Sequence, residues 1–507
     1  MGHYMRYFAR SLAVLAIAVV CTAAAAQSVL RWDVSDWTTL DPAYLTLQQE
    51  SAIAMNIFSG LVNFAPGTTE IVPDLAERWE ISDDGLTYTF YLRDGLQFHH
   101  GFGPVTAHDV KYSFDRILDP ETGATLAANY AIIDSVDVID DMTVAVMLER
   151  PYAPFLLLMV PYKATGIVPQ AAVEQYGDDF SLNPVGTGPF EWVSGDPRGT
   201  IVLRAFDDYH AGRSEIDRLE FVHIPENSVA YAAFEAGDLN MVKVRDADAL
   251  ARFQADPNIE IATSVGTNLN YVILNPNQPP LDDIRVRQAL QHAVDIETIL
   301  DTVLAGISVE ATGPVPQSAN FYHPDVARFP YDPERARALL AEAGHPNGFD
   351  LVMYTYIGGP AVPVSTVIQD MLRQVGVRVD LRPLEIAAWS QTVRTSEIPA
   401  TYMRVTRSGD PHEYIFTMLH SASIPQNNYG RFADPELDAL IDRGGIETDP
   451  EVRAEIYREI QERVAELAVN MWLFSDINAT AYRPEIEGFV LDPLNNQTPY
   501  TARIAGN

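Results

Sequence analysis

Several places in the chain carry side chains whose type and spacing could do chemistry. His412-Glu413 opens like a zinc-hydrolase helix, but that motif needs a second histidine one turn on, and residue 416 is Phe. His99-His100 with His108 offers three imidazoles, and their setting, a polar turn beside a helix cap, reads as structural rather than as a metal cluster. Gly186-Thr187-Gly188 has the spacing of a phosphate-cradling loop, yet Pro189 and the strand-like Phe190-Glu191-Trp192-Val193 follow it where such a loop requires a helix. No Gly-x-Ser-x-Gly elbow occurs, and no nucleophile comes with a base and an orienting partner. The sequence therefore offers no catalytic residue, no metal ligand set and no cofactor motif. The most informative stretch is Ala400–His420, ATYMRVTRSGDPHEYIFTMLH, in which Arg404, Arg407 and Asp410 stand close together. A guanidinium is a planar fork that donates two bonds at once to a carboxylate or phosphate.

The bulk properties narrow the class. At 507 residues the chain is too long for one core, and its 47% hydrophobic content without low-complexity tracts is globular. Arg6 and Arg10 precede an apolar run from Ser11 to Cys21, and small residues Ala23 to Ala26 follow, which is the layout of a secretory signal peptide over 1–26. Removing it discards the one cysteine, so the mature chain has neither disulfide nor thiol nucleophile. It also removes two arginines and no acid, leaving 32 basic against 69 acidic side chains and a net charge near −37. Such a surface repels nucleic acid and anionic membranes.

The elements that must position any site follow from periodicity. Tyr88, Phe90 and Leu92 alternate with polar neighbours and predict a half-buried strand between the turns Ser82–Gly85 and Asp94-Gly95. Thr106 with Asp109 predicts a capping box, and Val110, Phe114 and Ile117 give the helix an apolar stripe. Val136–Ile139 and Thr143–Leu148 flank Asp140-Asp141 as a hairpin. Phe349–Tyr356, a helix over Val362–Val375 and a strand over Val377–Leu384 form a βαβ unit with a parallel pair. Ligands of open α/β sheets favour the carboxyl ends of such strands, here Tyr356 and the Gly358-Gly359-Pro360 loop.

Three stretches resemble the extracytoplasmic solute-binding proteins that serve peptide, nickel and related ABC importers. They are Leu75–Ile117, with Leu-Ala-Glu-Arg-Trp, Asp-Asp-Gly-Leu-Thr-Tyr-Thr-Phe, Leu-Arg-Asp-Gly, Phe-His-His-Gly and Thr-Ala-His-Asp-Val; Asn183–Phe190; and Pro280–Leu290. The resemblance runs from about Val29 to Phe489. It implies an α/β, periplasmic binding protein-like fold with two major lobes around a hinge and a smaller inserted domain. The implied boundaries are 27–55, 184–275 and 475–507 for lobe I, 56–183 for the inserted lobe II, and 276–474 for lobe III. It further implies a non-enzymatic, periplasmic, monomeric receptor that hands a small-molecule or peptide ligand to ABC permease subunits in the inner membrane, with no nucleic acid partner. In peptide-binding relatives the segment matching Ala400–His420 carries Trp-x-x-Asp before Gly-Asp-Pro, and that Asp receives the peptide ammonium. Aligning Gly409-Asp410-Pro411 puts Arg404 at the Trp and Arg407 at the Asp, a reversal of charge. The arginine that holds a peptide carboxylate is replaced by Ala361-Val362-Pro363-Val364. Both changes point from an ordinary dipeptide toward an anionic or polyhydroxyl solute at Arg404 and Arg407, the alternative for each being an ion pair with a surface acid. Asp410 stands at the turn, and Trp37 and Trp389 are further candidates, as stacking or cleft-closing aromatics. A di- or oligopeptide receptor is the rival within this class, and a secreted hydrolase or carbohydrate-binding module the rival outside it.

Overall fold

A computed structural model describes residues 27–162, 164–406 and 409–506. The signal peptide expected over 1–26 and the candidate Arg407 lie outside the described residues.

One twelve-stranded sheet runs through both major lobes. Val29–Val34 lies parallel to Arg218–His223, which pairs antiparallel with Ile201–Ala205, and Phe190–Ser194 closes that edge. On the other side, Met241–Val244 passes the sheet to Asn470–Tyr482, a strand of 13 residues. The late part of this strand pairs with Met241–Val244 and Glu260–Val265 in lobe I. Its early part pairs with Asn268–Leu274 and Ser308–Glu310 in lobe III. From Asn268–Leu274 the order continues through Ala400–Thr406 and Asp350–Tyr356 to the edge strand Arg378–Leu384. That edge strand carries Arg378, Asp380, Arg382 and Pro383, residues that blunt pairing with another chain.

The local patterns produce the elements expected. Tyr88, Phe90 and Leu92 are buried on Thr87–Leu92 and their neighbours only half-buried. Asp109 accepts from the Thr106 N–H and Oγ1, both at 2.9 Å, and starts the helix Ala107–Leu118 over Val110, Phe114 and Ile117. The hairpin Ile133–Asp140 and Thr143–Leu148 completes a four-stranded sheet in lobe II. Asp350–Tyr356, the helix Ala361–Gln374 and Arg378–Leu384 form the parallel βαβ unit, with Asp350 opposite Arg378 and Tyr356 opposite Leu384.

Four cores hold the layers. Leu30 and Trp32 of lobe I share one core with Phe90, Phe114 and Val144 of the insertion, so lobe II is fused to lobe I by burial. A second core packs helices Asn227–Ala236 and Ala247–Gln254 behind Val242. The other two cover opposite faces of the lobe III sheet, one around Val272, Met353 and Ile368, the other around Tyr271, Trp389 and Tyr414. Because strand sides alternate, Asn268–Leu274 feeds both of these cores. Its residues therefore belong to lobe III, and the extension of lobe I to residue 275 is corrected. The chain crosses at Gly266-Thr267 and returns at Ser475-Asp476.

Gly186-Thr187-Gly188 is a contact point. A Cβ on Gly186 would stand 2.2 Å from the Ile57 carbonyl oxygen, and one on Gly188 2.6 Å from the Ile57 carbonyl carbon. Only glycine lets this segment close on the end of helix Gln48–Ile57. His99 locks the contact: Nε2–H donates to the Gly188 carbonyl at 2.9 Å and Nδ1 accepts from the Gly186 N–H at 3.4 Å. Burial lowers its pKa to about 3, so the ring is neutral. His100 turns to Glu191 at 3.4 Å and His108 to Asp141 at 3.7 Å, so the three histidines have separate partners.

Candidate functional site

The two crossings are knitted together. The Gly266 N–H donates to the Asp476 carbonyl at 2.8 Å, and the Asp476 N–H donates to Asn268 Oδ1 at 3.2 Å. Beside them lies a cleft cavity of about 430 Å³. Thr46, Gln48 and Asn495 line it from lobe I, Leu126 and Tyr162 from lobe II, and Arg404 and Thr406 from lobe III. Arg404 is the one charged side chain among its described lining residues, in a chain with 69 acidic against 34 basic side chains.

Arg404 is positioned by a network that begins in the lobe III core. Tyr402, fully buried, donates its hydroxyl to Asn270 Oδ1 at 2.7 Å. Asn270 Nδ2 donates to Asp476 Oδ1 at 3.2 Å. Arg404, directly across the strand pair from Asn270, donates from Nε at 3.2 Å and from Nη2 at 2.8 Å to Asp476 Oδ2. The Arg404 side chain stays 42% exposed and that of Asp476 30%, so the pair is open to solvent, and Arg404 presents it to the cavity.

Two further devices shape the lobe I wall. Glu50, fully buried, accepts from the Thr38 N–H and hydroxyl through Oε1 and from the Thr46 and Leu47 N–H groups through Oε2. Burial alone would raise its pKa, and the bonds from Thr38, Thr46 and Leu47 override this and lower it. One carboxylate thus holds both loops that approach the cleft. On the other side the segment Asp492–Gln497 is pinned by Lys243 Nζ to the Asn495 carbonyl at 3.0 Å, by Gln48 Nε2 to the Leu494 carbonyl at 2.7 Å and by Gln497 Nε2 to the Asp33 carbonyl at 2.9 Å. Burial, with Arg245 nearby, lowers the Lys243 pKa to about 8 against the pull of Asp33 and Asp492. Burial raises the Asp492 pKa to about 6 against the N–H groups of Asn496 and Leu494 and the charge of Lys243.

The remaining candidates separate. Tyr356 is half-buried, its ring 5.2 Å from Trp389 and 5.8 Å from Tyr402, edge-on to both. Burial raises its phenol pKa and the Arg404 charge opposes the shift. Trp389 is 7% exposed on helix Ile386–Thr395, and its Nε1–H donates to Thr401 Oγ1 at 2.9 Å, so it supports Tyr356 from behind. Trp37 is only 2% exposed and sits in the lobe I core, which leaves it no face for a solute; its reading as a cleft aromatic is corrected. Asp410 is corrected as well. It caps helix Pro411–Leu419, with Oδ1 accepting from the His412 N–H, and both oxygens are held by Arg453 at 2.6 and 2.9 Å. Burial works against the Arg453 charge, and Asp410 overrides this and raises its pKa. Asp476, Asn270, Glu50 and the Asp492–Gln497 segment are absent from the sequence-derived site. Their roles depend on pairing at a distance, 72 residues between Arg404 and Asp476, 206 between Asn270 and Asp476 and 252 between Lys243 and Asn495, except for Glu50, which lies three residues after the helix N-cap Leu47.

Residues 70–426 match the profile of the bacterial extracellular solute-binding proteins, family 5. The chain is similar to the dipeptide-binding protein of Escherichia coli K12, 31% identical over 87% of this chain and 88% of that protein. It superposes on the structure of HbpA2 from Haemophilus parasuis with a TM-score of 0.89 at 30% identity, covering 94% of this chain and 100% of that one. With MoaA of A. tumefaciens R10 in complex with mannopinic acid, identity and coverages are the same and the TM-score is 0.73.

Proposed function

The chain belongs to the family 5 bacterial extracellular solute-binding proteins, and from that premise we propose that it is a periplasmic, monomeric, non-enzymatic receptor of an ABC importer. One small solute enters the cleft, the lobes close on it, and the closed form is presented to the permease. The solute moves the open–closed balance only by its preference for the closed form. Several features support hinge motion: two crossings only, at Gly266-Thr267 and Ser475-Asp476, and one strand shared by both lobes. The lower score against the mannopinic acid complex, at unchanged identity and coverage, fits lobes set differently from those of a ligand-bound relative.

We further propose that the ligand is an anionic or polyhydroxyl solute rather than an ordinary dipeptide. The observation that carries this is the Arg404 guanidinium, the one charged side chain among the described residues lining the cavity, set among the hydroxyl and amide groups of Thr46, Gln48, Thr406 and Asn495. A fork of N–H donors in such a wall favours a carboxylate with hydroxyls around it. Arg407, three residues on in the same segment, is retained in the proposal on its sequence position. Mass spectrometry of small molecules released by denaturing the purified protein tests this. A single acidic or sugar-like compound is the expected result, and Arg404→Gln should abolish its rebinding. A mixture of short peptides would overturn the ligand reading and make the protein a di- or oligopeptide receptor.

A further inference from the structure

Arg404 does not meet the solute as an isolated cation. Its Nε and Nη2 are already committed to Asp476 Oδ2 at 3.2 and 2.8 Å, and this carboxylate, 30% exposed, adjoins the cavity that Arg404, Asn268 and Asn478 line. Asp476 is fixed on three sides: its N–H by Asn268 Oδ1, its carbonyl by the Gly266 N–H, and Oδ1 by Asn270 Nδ2. A carboxylate oxygen accepts about two bonds; Oδ2 already takes both from Arg404, and Oδ1, with one from Asn270, keeps an acceptor site. Nη1 of Arg404 has no hydrogen-bond partner among the described residues and is left for the solute. Arg404 therefore reaches the cavity as one half of an ion pair in contact, whose two charges cancel.

Such a pair discriminates. A plain carboxylate gains Arg404 and is repelled by Asp476. An ammonium alone gains Asp476 and is repelled by Arg404. A solute carrying both charges on neighbouring atoms satisfies both at once. Since the protein's two charges touch, the solute's two charges must be adjacent too. The two termini of a peptide lie on different residues and do not meet this condition. Resting on the reading of the cleft given above, we infer that Asp476 is a specificity residue and that the solute bears an α-amino-acid head, carboxylate and ammonium on one carbon, with a larger group attached elsewhere. Arg404 takes the carboxylate and Asp476 the ammonium.

Five probes of similar size separate the possibilities in equilibrium dialysis: D-glucosaminate with both charges on one carbon, D-gluconate with the carboxylate alone, D-glucosamine with the ammonium alone, D-glucitol with neither, and Ala-Ala with the charges on separate residues. The wild-type protein is expected to retain glucosaminate over gluconate by about tenfold or more, the scale of one charge-assisted hydrogen bond. Asp476→Asn removes the charge and keeps one acceptor oxygen in place of two; it should equalise the two probes by weakening glucosaminate and strengthening gluconate, a shift in selectivity that mere loosening of the hinge would not produce. Arg404→Gln should lose both. Gluconate bound through Arg404 with no preference for glucosaminate overturns the inference and leaves the anionic reading intact. Preference for glucosamine or Ala-Ala overturns both, and failure to retain glucosaminate at all overturns the inference.

Discussion

Replacing Asp410 by asparagine preserves the helix cap, since either residue accepts from the His412 N–H, and removes only the charge. Asp410 and Arg453 are each 6% exposed and joined by two bonds of 2.6 and 2.9 Å. Without the carboxylate charge, the Arg453 guanidinium is left buried, with the Gly444 carbonyl at 2.9 Å as its main remaining anchor. Breaking a buried pair from one side costs about 3–5 kcal/mol, and the retained amide oxygen puts Asp410→Asn at the lower end, about 3 kcal/mol. Asp410→Ala loses the cap as well, a further ~1 kcal/mol. Urea unfolding followed by tryptophan fluorescence reads this in lobe III, where Trp389 and Trp472 lie in the same core as Tyr457, the neighbour of Arg453. The double variant Asp410→Asn with Arg453→Met removes both charges and should recover most of the loss. A single variant within 1 kcal/mol of wild type would refute the reasoning. Full stability with loss of solute retention would return Asp410 to the ligand site.

Arg404→Gln should change stability by less than about 1 kcal/mol, because its ion pair is exposed, while solute retention is lost; thermal unfolding and dialysis together check this. Glu50→Gln places an NH₂ group against N–H donors and should cost about 2–4 kcal/mol at pH 7. Because the folded Glu50 pKa lies below its ordinary value, its contribution is present above about pH 4.5 and lost as pH falls through the folded pKa, so the gap between variant and wild type in a Tm series should narrow in acid. Asp492 has the opposite sign. Its folded pKa of about 6 exceeds the ordinary 3.8, so wild-type stability falls as pH rises from 4 to 6, and Asp492→Asn should gain relative to wild type over that interval by up to about 3 kcal/mol, read as diverging Tm curves.

Local chemistry was legible where sequence neighbours make it. The capping box at Thr106 and Asp109, the alternation of Tyr88, Phe90 and Leu92 and the βαβ unit all depend on spacings of two to four residues, and each forms as expected. The resemblance carried by Leu75–Ile117 pointed to the family that residues 70–426 match. Arg404 stood out as a candidate because a charge occupies the place where relatives carry an aromatic. What the sequence hid is pairing at a distance. Asp410 reads as an exposed turn carboxylate until Arg453, 43 residues on, closes over it. Asp476 has no signature of its own, since its meaning comes from Asn270 and Arg404 on neighbouring strands. Trp37 follows a strand in a polar loop, and only the fold shows that loop drawn into the core by the Glu50 carboxylate.

The strand Asn470–Tyr482 also dictates when the protein can fold. Val469, Met471 and Leu473 enter the two lobe III cores, Ala479 and Ala481 the core behind Val242, and Ile486, Phe489 and Ala502 the core shared by lobes I and II. Every core is thus finished by the C-terminal end of the chain, and contacts such as Gln497 to Asp33 span 464 residues. A chain emerging from its N-terminus completes none of these cores until residues 469–502 have been made. Folding is then a late event, slowed by high contact order, and it yields both lobes together. A frameshift or nonsense codon anywhere before Asn470 leaves neither major lobe with the strand that both share.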